Sequence, residues 1–121
     1  MIVQIGIDLA SIARFAFSPA QAAWFARRIF TPAESAYAAS KRYPAQHLAG
    51  AFAAKEAFRK ALGRGVAWRD VGVIHTAQGA PTFALGESAQ RALATLGSVR
   101  VHLSISHTHD NAAATVIIEH D

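Results

Sequence analysis

The stretch Phe52-Ala53-Ala54-Lys55-Glu56-Ala57-Phe58-Arg59-Lys60-Ala61-Leu62-Gly63 carries charged side chains on an otherwise apolar segment. Its pattern predicts a helix over residues 45–62, ended by Gly63-Arg64-Gly65. Glu56 and Lys60 are four residues apart and therefore share one helix face. They can form an ordinary surface ion pair, worth roughly a few tenths of a kcal/mol. Because their neighbours are mostly alanine and phenylalanine, a half-buried pair with a function is the stronger interpretation.

Two further helices are predicted before this one, and one after it. Ser18-Pro19 is a cap followed by proline, which begins a helix that runs to about residue 29. Thr31-Pro32-Ala33-Glu34 is a capping box and begins the next helix. Residues 87–96 are predicted to form the last helix, closed by Gly97.

Strands are predicted at the amino terminus and in the second half of the chain. Val3, Ile5, Ile7 and Leu9 alternate with other residues, which is the period of a half-buried strand. The remaining predicted strands span residues 71–76, 82–85, 99–105 and 112–119. Helices early and strands late indicate an α+β fold, with helices packed on a mainly antiparallel sheet.

The composition is that of a folded domain. The chain has 121 residues, and we expect residues 1–121 to form a single domain. Apolar residues make up 52% and charged residues 17%, which excludes a disordered tail. No apolar stretch approaches the roughly 18 residues of a membrane span, and residues 1–4 lack the features of a signal peptide. Since cysteine is absent, we expect a cytoplasmic protein without disulfides or thiolate metal sites.

Positive charge is concentrated in one part of the chain. Residues 14–64 contain nine lysines and arginines against two glutamates, a net charge of +7, while the other residues sum to −3. Such a field attracts phosphates, nucleic acid or an acidic protein, although a solvated helical surface has the same pattern. A small basic nucleic-acid-binding module is therefore one candidate function. The strands lack the aromatic platform of single-strand binders, and that function leaves Asp8 and Glu56 unexplained.

Asp8 and Glu56 are carboxylates within apolar elements. A carboxylate in a strand such as that of Asp8 costs free energy unless it is paired, binds a cation or faces solvent. Hard oxygen ligands of this kind suit Mg²⁺, which typically takes one or two carboxylates together with substrate phosphates. The two residues are therefore candidate metal ligands, with a solvated strand face as the alternative for Asp8.

The segment Leu103-Ser104-Ile105-Ser106-His107 carries hydroxyls on one strand face and an imidazole at its end. Ser106 and His107 point to opposite faces of a continuing strand, and no nucleophile elbow precedes them. This argues against covalent serine catalysis. His107 and His109 lack an obvious third ligand for zinc. Hydrogen bonding to a phosphorylated ligand is the interpretation that these residues fit best.

Three blocks of the sequence resemble the holo-(acyl carrier protein) synthase family, the small 4′-phosphopantetheinyl transferases. They are Gly6-Ile7-Asp8, the stretch 52–63 and the segment 103–107, and weaker matches between them extend the resemblance over essentially the whole chain. The resemblance implies Mg²⁺-dependent transfer of the 4′-phosphopantetheine arm of coenzyme A to a serine of an apo acyl carrier protein. The reaction would release adenosine 3′,5′-bisphosphate, and the modified carrier protein would serve fatty acid or polyketide biosynthesis. The family is a homotrimer with sites shared between neighbouring subunits.

The resemblance also implies roles for individual residues. Asp8 and Glu56 are expected to hold Mg²⁺ and Lys60 to support the phosphates. The proton of the acceptor serine would pass to Glu56 or to a metal-bound water. Contacts to coenzyme A are expected from Lys41, Arg42, Lys60, Gly63, Gly65, Pro81, Ser104 and His107. Docking of the acidic carrier protein is expected from Arg14, Arg27 and Arg28.

One position departs from the family pattern. The family commonly has arginine before the phenylalanine of the middle block, whereas this chain has Ala51. The change removes a bidentate phosphate donor. Either Lys41, Arg42 or Arg59 substitutes for it, or coenzyme A binds more weakly. A family member that binds carrier protein without turnover is therefore a third candidate function.

Overall fold

Five strands and four α-helices form the structure, a computed structural model that describes residues 1–121. The strands are β1 Ile2–Ser11, β2 Val71–His75, β3 Pro81–Leu85, β4 Val99–His107 and β5 Asn111–His120. The α-helices are α1 Pro19–Arg28, α2 Pro32–Ala39, α3 Pro44–Leu62 and α4 Glu87–Ala94. Short 3-10 helices occupy Ile12–Phe15 and Trp68–Asp70. Every predicted element is present.

The strands form two antiparallel sheets. One sheet has the order β1-β5-β4, and the other is the hairpin of β2 and β3. Helix α3 packs across the inner face of the larger sheet, and α2 packs against α3 and β2. The predicted α+β fold is confirmed. None of the four helices combines the length and the apolar character that a membrane span requires.

Small side chains bring α3 unusually close to β1. The face of α3 that meets the sheet is mainly alanine, and Ala53 and Ala57 are fully buried. A Cβ atom on Gly6 of β1 would lie 2.0 Å from the carbonyl oxygen of Ala57, a distance that no side chain tolerates. Strand β1 therefore lies directly on the backbone of α3, and only glycine fits at the closest point.

The close contact determines which face of β1 is buried. Gly6 and Asp8 face α3, while Ile5, Ile7 and Leu9 on the other face are 64%, 61% and 68% exposed. The alternation predicted the strand correctly, and in the single chain α3 covers the face of Gly6 and Asp8 while the apolar face is exposed. The reason is that α3 approaches so closely that there is no room for a side chain at Gly6.

Lys55 is a fully buried lysine on the inner side of α3. Its ammonium lies 2.8 Å from Glu34 Oε1 in α2, and both side chains are essentially inaccessible. It also donates to the carbonyl oxygens of Trp68, at 3.1 Å, and Val71, at 2.9 Å. All three ammonium protons are therefore used. Burial lowers the pKa of Lys55, and the negative charge of Glu34 opposes that shift.

Glu34 makes three connections at once. Its Oε1 accepts a hydrogen bond from the backbone N–H of Thr31 at 2.8 Å, which closes the predicted capping box of α2. Its Oε2 accepts from the backbone N–H of Val73 in β2 at 2.6 Å. Together with Lys55, Glu34 therefore ties α2, α3 and the start of the hairpin into one buried polar network.

Lys55→Met should lower the free energy of unfolding by about 3–5 kcal/mol, because it leaves the carboxylate of Glu34 buried without its cation. Adding Glu34→Gln in the double variant should recover part of this loss, since neither charge then remains. Urea denaturation of the wild type, both single variants and the double variant measures the coupling. A loss below about 1 kcal/mol for Lys55→Met would mean that the pair is solvated, like a surface ion pair.

Candidate functional site

Strand β1 and helix α3 bring Asp8 and Lys60 into contact. Lys60 Nζ donates to Asp8 Oδ1 at 2.9 Å and to the carbonyl oxygen of Ile7 at 3.2 Å. The contact follows from the packing of Gly6 on Ala57. Asp8 lies two residues after Gly6 on the strand, and Lys60 lies three residues after Ala57 on the helix. The Asp8 side chain is 15% exposed and that of Lys60 is 54% exposed. The hydrogen bond and charge of Asp8 raise the pKa of Lys60.

Glu56 is the second carboxylate of this site. It lies one turn before Lys60 on α3, and its charge adds to the rise in the pKa of Lys60. Its cationic neighbour is Arg59, at 3.8 Å, so the simple surface pair of Glu56 with Lys60 does not form. The guanidinium of Arg59 lies 3.8 Å from the centroid of the Trp68 ring, which holds it beside the helix. Glu56 therefore stays available to a ligand on the solvent side.

A shallow, open depression adjoins the carboxylates at the carboxyl end of α3. Its lining residues are Glu56, Arg59, Lys60, Gly63, Arg64 and Gly65. Gly63 ends the helix in the left-handed conformation, with φ of +71°. A Cβ atom on Gly65 would lie 3.0 Å from Arg59 Nη2, so the loop passes close to the guanidinium. The structure thus joins the two predicted glycines to Lys60 at a surface rich in positive charge.

Asp8 and Glu56 are the two carboxylates of this site, and carboxylates are the side chains that hold magnesium ions in proteins. Both act on the same ammonium group, that of Lys60, and they supply the hard oxygen atoms that Mg²⁺ prefers. No group of three or more His, Cys, Asp or Glu side chains is positioned to share a metal ion. A pair of carboxylates is nevertheless sufficient for Mg²⁺ when substrate phosphates complete its coordination. The zinc interpretation of His107 with His109 lacks a third ligand in the structure as well.

A second group of predicted residues lies at the amino end of α3. His107 Nε2, at the end of β4, lies 3.0 Å from Gln46 Nε2 in the first turn of α3. His107 and Pro81 line one cavity of about 240 Å³, and Arg42 lines an adjoining pocket. Lys60 follows Gln46 by fourteen residues, which is about 21 Å along the helix axis. The residues predicted to contact coenzyme A are therefore divided between the two ends of α3.

Two predicted residues belong to neither group directly. Lys41 Nζ lies 4.7 Å from the centroid of the Tyr37 ring, which borders the cavity at the amino end of α3. Ser104 is exposed on the outer face of the larger sheet, where it pairs with Thr115 of β5. Its hydroxyl and the imidazole of His107 thus point to opposite sides of the sheet, because they are an odd number of residues apart.

The arginines predicted to dock a carrier protein are all exposed. Arg14 lines a cleft whose wall includes Phe25 of α1. The guanidinium of Arg28 lies 4.8 Å from the centroid of the Trp24 ring. Arg27 shares the last turn of α1 with Arg28. The structure therefore brings bases and aromatic side chains together on one surface around α1.

Sequence reasoning missed several polar residues of the interior. Lys55 lies between Ala54 and Glu56 on a mostly apolar helix, and Glu34 is the last residue of a capping box, but nothing local indicates that Lys55 and Glu34 pair. His47 and His75 join His107 around the same cavity. Each is a single histidine in a helix or strand, so only the tertiary fold brings them together.

Comparison with known proteins shows the family to which the chain belongs. The family model of the 4′-phosphopantetheinyl transferase superfamily matches residues 4–116. A holo-[acyl-carrier-protein] synthase of Clavibacter sepedonicus is 41% identical over 98% of this chain and 97% of that protein. The crystal structure of the synthase from Neisseria meningitidis superposes with a TM-score of 0.83, at 38% identity, covering 98% of this chain and 99% of the other.

A third relative was solved with its ligand. The Bacillus anthracis holo-(acyl-carrier-protein) synthase, in complex with CoA (3′,5′-ADP), has a TM-score of 0.79 and 33% identity, covering 100% of this chain and 99% of the other. The chain therefore belongs to the 4′-phosphopantetheinyl transferase superfamily, and its enzyme class is that of a phosphopantetheinyl transferase. The family resemblance of the sequence is confirmed.

Proposed function

We propose that this chain transfers the 4′-phosphopantetheine group of coenzyme A to a serine hydroxyl of an apo acyl carrier protein. The observation that carries the proposal is the group of Asp8, Glu56 and Lys60 beside an open, positively charged depression. Coenzyme A as the donor is supported by the relative solved with that ligand. A role in fatty acid or polyketide biosynthesis and a cytoplasmic location stay predictions.

The transfer exchanges one phosphorus–oxygen bond for another. The serine oxygen forms a bond to the phosphorus nearer the pantetheine arm, and the bond from that phosphorus to the bridging oxygen breaks. The electron pair leaves with adenosine 3′,5′-bisphosphate. Lys60 offsets the negative charge that develops on the phosphate oxygens. Because its ammonium group is exposed, it can release its hydrogen bond to Asp8 and donate to a phosphate oxygen instead. The carboxylate of Glu56 is within reach of solvent and is the proposed acceptor of the serine proton.

We assign Mg²⁺ to Asp8 and Glu56. When bound, the ion would supply Lewis-acid stabilisation of the pyrophosphate oxygens. Asp8 is suited to hold it because it is fixed on a strand that packs directly on α3. Glu56 lies on α3 and Asp8 lies on β1, so each element supplies one of the two proposed ligands. The close packing at Gly6 sets the distance between these two elements.

Asp8→Ala and Glu56→Gln should each abolish transfer at low millimolar Mg²⁺ while leaving the fold intact, because each removes half of the carboxylate pair. The measurement is the gain in mass of one phosphopantetheine group on apo carrier protein. Glu87→Gln, which removes an exposed carboxylate of α4 paired only with Arg91, is the matched control. Near wild-type turnover by either site variant would refute the shared-metal assignment. A wild type that binds carrier protein without turnover would instead be the inactive family member that Ala51 suggests.

We further propose a homotrimer whose active sites combine residues of two neighbouring chains. The exposed apolar face of β1, with Ile5, Ile7 and Leu9, is an apolar surface that a second copy would cover. The division of the phosphate-binding residues between the two ends of α3 also supports it. Gln46 and Lys60 lie about 21 Å apart along α3. In the proposed trimer, one coenzyme A molecule would therefore bind to the amino end of α3 in one chain and to the carboxyl end of α3 in the neighbouring chain.

Mixed oligomers of Asp8→Ala and His107→Ala chains should be more active than either variant alone. Some interfaces of a mixed trimer join the intact carboxylate end of one chain to the intact histidine end of the next. One of the three interfaces of each mixed trimer is of this kind, so trimers that contain both chains should have about a third of the wild-type sites. Activity of mixtures purified through two different affinity tags measures this gain. Activity no higher than the average of the two parents would mean that each site lies within one chain.

We also propose that Arg14, Arg27 and Arg28 dock the carrier protein. Carrier proteins are acidic around the serine that receives the arm, and an arginine stacked on an exposed tryptophan is a composition favoured at interface centres. The cleft beside Arg14 adds apolar surface from Phe25. This surface lies next to the end of β1, so a docked serine would be near Asp8.

Charge reversal at Arg14 and Arg28 should raise the KM for carrier protein several-fold and flatten its dependence on salt, because exposed charges act mainly on the rate of encounter and are screened by salt. The KM for coenzyme A should not change. Arg91→Glu, on the exposed face of α4, is the control for a general change in net charge. An equal rise in the KM for coenzyme A would show that these arginines hold the nucleotide instead.

A further inference from the structure

The side chain of Arg59 lies between two partners at the carboxyl end of α3. One is Glu56, one turn earlier on the helix, whose Oε1 lies 3.8 Å from Arg59 Nη1. The other is the indole ring of Trp68, whose centroid lies 3.8 Å from the guanidinium carbon. A hydrogen bond from a guanidinium to a carboxylate is about 2.7–2.9 Å long. Arg59 therefore stacks on the ring and stops short of a hydrogen bond to the carboxylate.

The position of Trp68 is fixed by contacts that do not involve Arg59. Its backbone carbonyl oxygen accepts a hydrogen bond from Lys55 Nζ at 3.1 Å. Its ring stacks on that of Phe52, with 5.4 Å between the centroids and 21° between the planes. Phe52 in turn packs on the buried ring of Phe15, with 5.4 Å between the centroids. The indole is therefore a rigid surface on which the guanidinium rests.

The loop after α3 limits Arg59 from a second side. A Cβ atom on Gly65 would lie 3.0 Å from Arg59 Nη2, so the guanidinium lies close to the loop backbone as well as to the ring. These contacts leave its side chain only 27% exposed. The helix itself does not separate Arg59 from Glu56, because residues three apart are neighbours on a helix surface. The contacts with Trp68 and the loop therefore decide where the guanidinium lies.

A closer pair of Arg59 with Glu56 would change what Glu56 can bind. A guanidinium that binds a carboxylate through two parallel hydrogen bonds occupies both oxygen atoms. It would also bring a positive charge to the place where a cation would otherwise be held. Lys60, the other cation near Glu56, donates instead to Asp8 at 2.9 Å. Whether Glu56 is open to a ligand thus depends on the position of Arg59.

We propose that Trp68 is a positioning residue that acts through Arg59. By holding the guanidinium on its ring, it keeps both oxygen atoms of Glu56 open to a divalent cation. The inference rests on the proposed function, which assigns that cation to Asp8 and Glu56. The stack lets a positive charge remain beside the depression, where it attracts phosphate groups, without blocking the carboxylate one turn away.

The variant that tests this role is Trp68→Leu, which keeps an apolar contact for Phe52 but removes the π face that attracts the guanidinium. Arg59 should then close on Glu56. The affinity for Mn²⁺, a paramagnetic ion with the same preference for oxygen ligands, should fall by about threefold to fivefold, the range of an exposed ion pair. Electron paramagnetic resonance of the full chain with saturating coenzyme A measures the affinity. Glu56→Gln gives the background of Mn²⁺ bound without this carboxylate.

Removal of Arg59 separates the positioning role from a packing role. In an Arg59→Met chain, adding Trp68→Leu should change the Mn²⁺ affinity by less than about 1.5-fold, because no guanidinium remains to close on Glu56. Trp68→Phe keeps an aromatic face and should stay within about twofold of the wild type. The matched control is Trp24→Leu, which removes the other indole that stacks on an arginine, Arg28, and should leave the Mn²⁺ affinity unchanged.

NMR of the arginine side chains provides a measurement that needs no metal ion. In the wild type, the ring current of Trp68 should shift the Nε–H resonance of Arg59 upfield. Trp68→Leu should remove that shift. Adding Glu56→Gln to Trp68→Leu should move the resonance again, because the carboxylate partner is then lost. A resonance that does not respond to Glu56→Gln in this chain would show that Arg59 does not close on Glu56.

The outcomes separate this inference from the proposed function. Equal Mn²⁺ affinities of wild type and Trp68→Leu refute the positioning role, and so does a loss of affinity that persists in the Arg59→Met chain. In both cases, transfer of the arm to apo carrier protein by the wild type leaves the enzymatic proposal standing. A wild type that shows the expected Mn²⁺ differences without any transfer would refute the proposed function alone.

Discussion

The buried ion pair of Glu34 and Lys55 fixes the rotation of α3, and the candidate site depends on that rotation. Lys55 points into the protein, where its three protons meet Glu34 and two backbone carbonyls. Glu56 is the next residue, about 100° further around the helix, so it turns outward as Lys55 turns inward. Because both charges lose their hydration, such a pair adds little net stability. Removing one partner is nevertheless strongly destabilising, because it leaves the other charge buried and unpaired. The pair therefore contributes more to the geometry of the site than to its free energy.

The second constraint is the contact of Gly6 with the backbone of α3. Close packing on alanine sets the distance between Asp8 on the strand and Lys60 on the helix, and so between the groups that would act on a pyrophosphate. The same packing turns Ile5, Ile7 and Leu9 outward. A site built from small residues on one face of β1 thus leaves an apolar surface on the other. The contact of Asp8 with Lys60 and the exposure of the apolar face have a common cause in this strand.

Local features of the fold could be predicted from the sequence because their causes are local. Both capping boxes and the glycine that ends α3 involve residues at most a few positions apart, and all are present in the structure. The contact of Asp8 with Lys60 joins residues 52 positions apart, and periodicity carries no information about it. Only the family resemblance assigned these two residues to one site. The buried face of β1 could not be predicted, because the alternation identifies two faces without saying which one a helix covers.

The cavity at the amino end of α3 could be predicted neither from local sequence patterns nor from the family resemblance. His47 and His75 belong to no motif. The family resemblance indicates only that this chain has alanine at position 51, where the family commonly has arginine. The arrangement of the two histidines comes from Tyr37, which contacts both rings from a third element. The two ends of α3 consequently differ in physical character. Asp8 raises the pKa of Lys60, so the charge at one end is permanent near neutral pH. Burial lowers the pKa values of His47 and His75, so these two imidazoles hold a proton less readily than a histidine in water does.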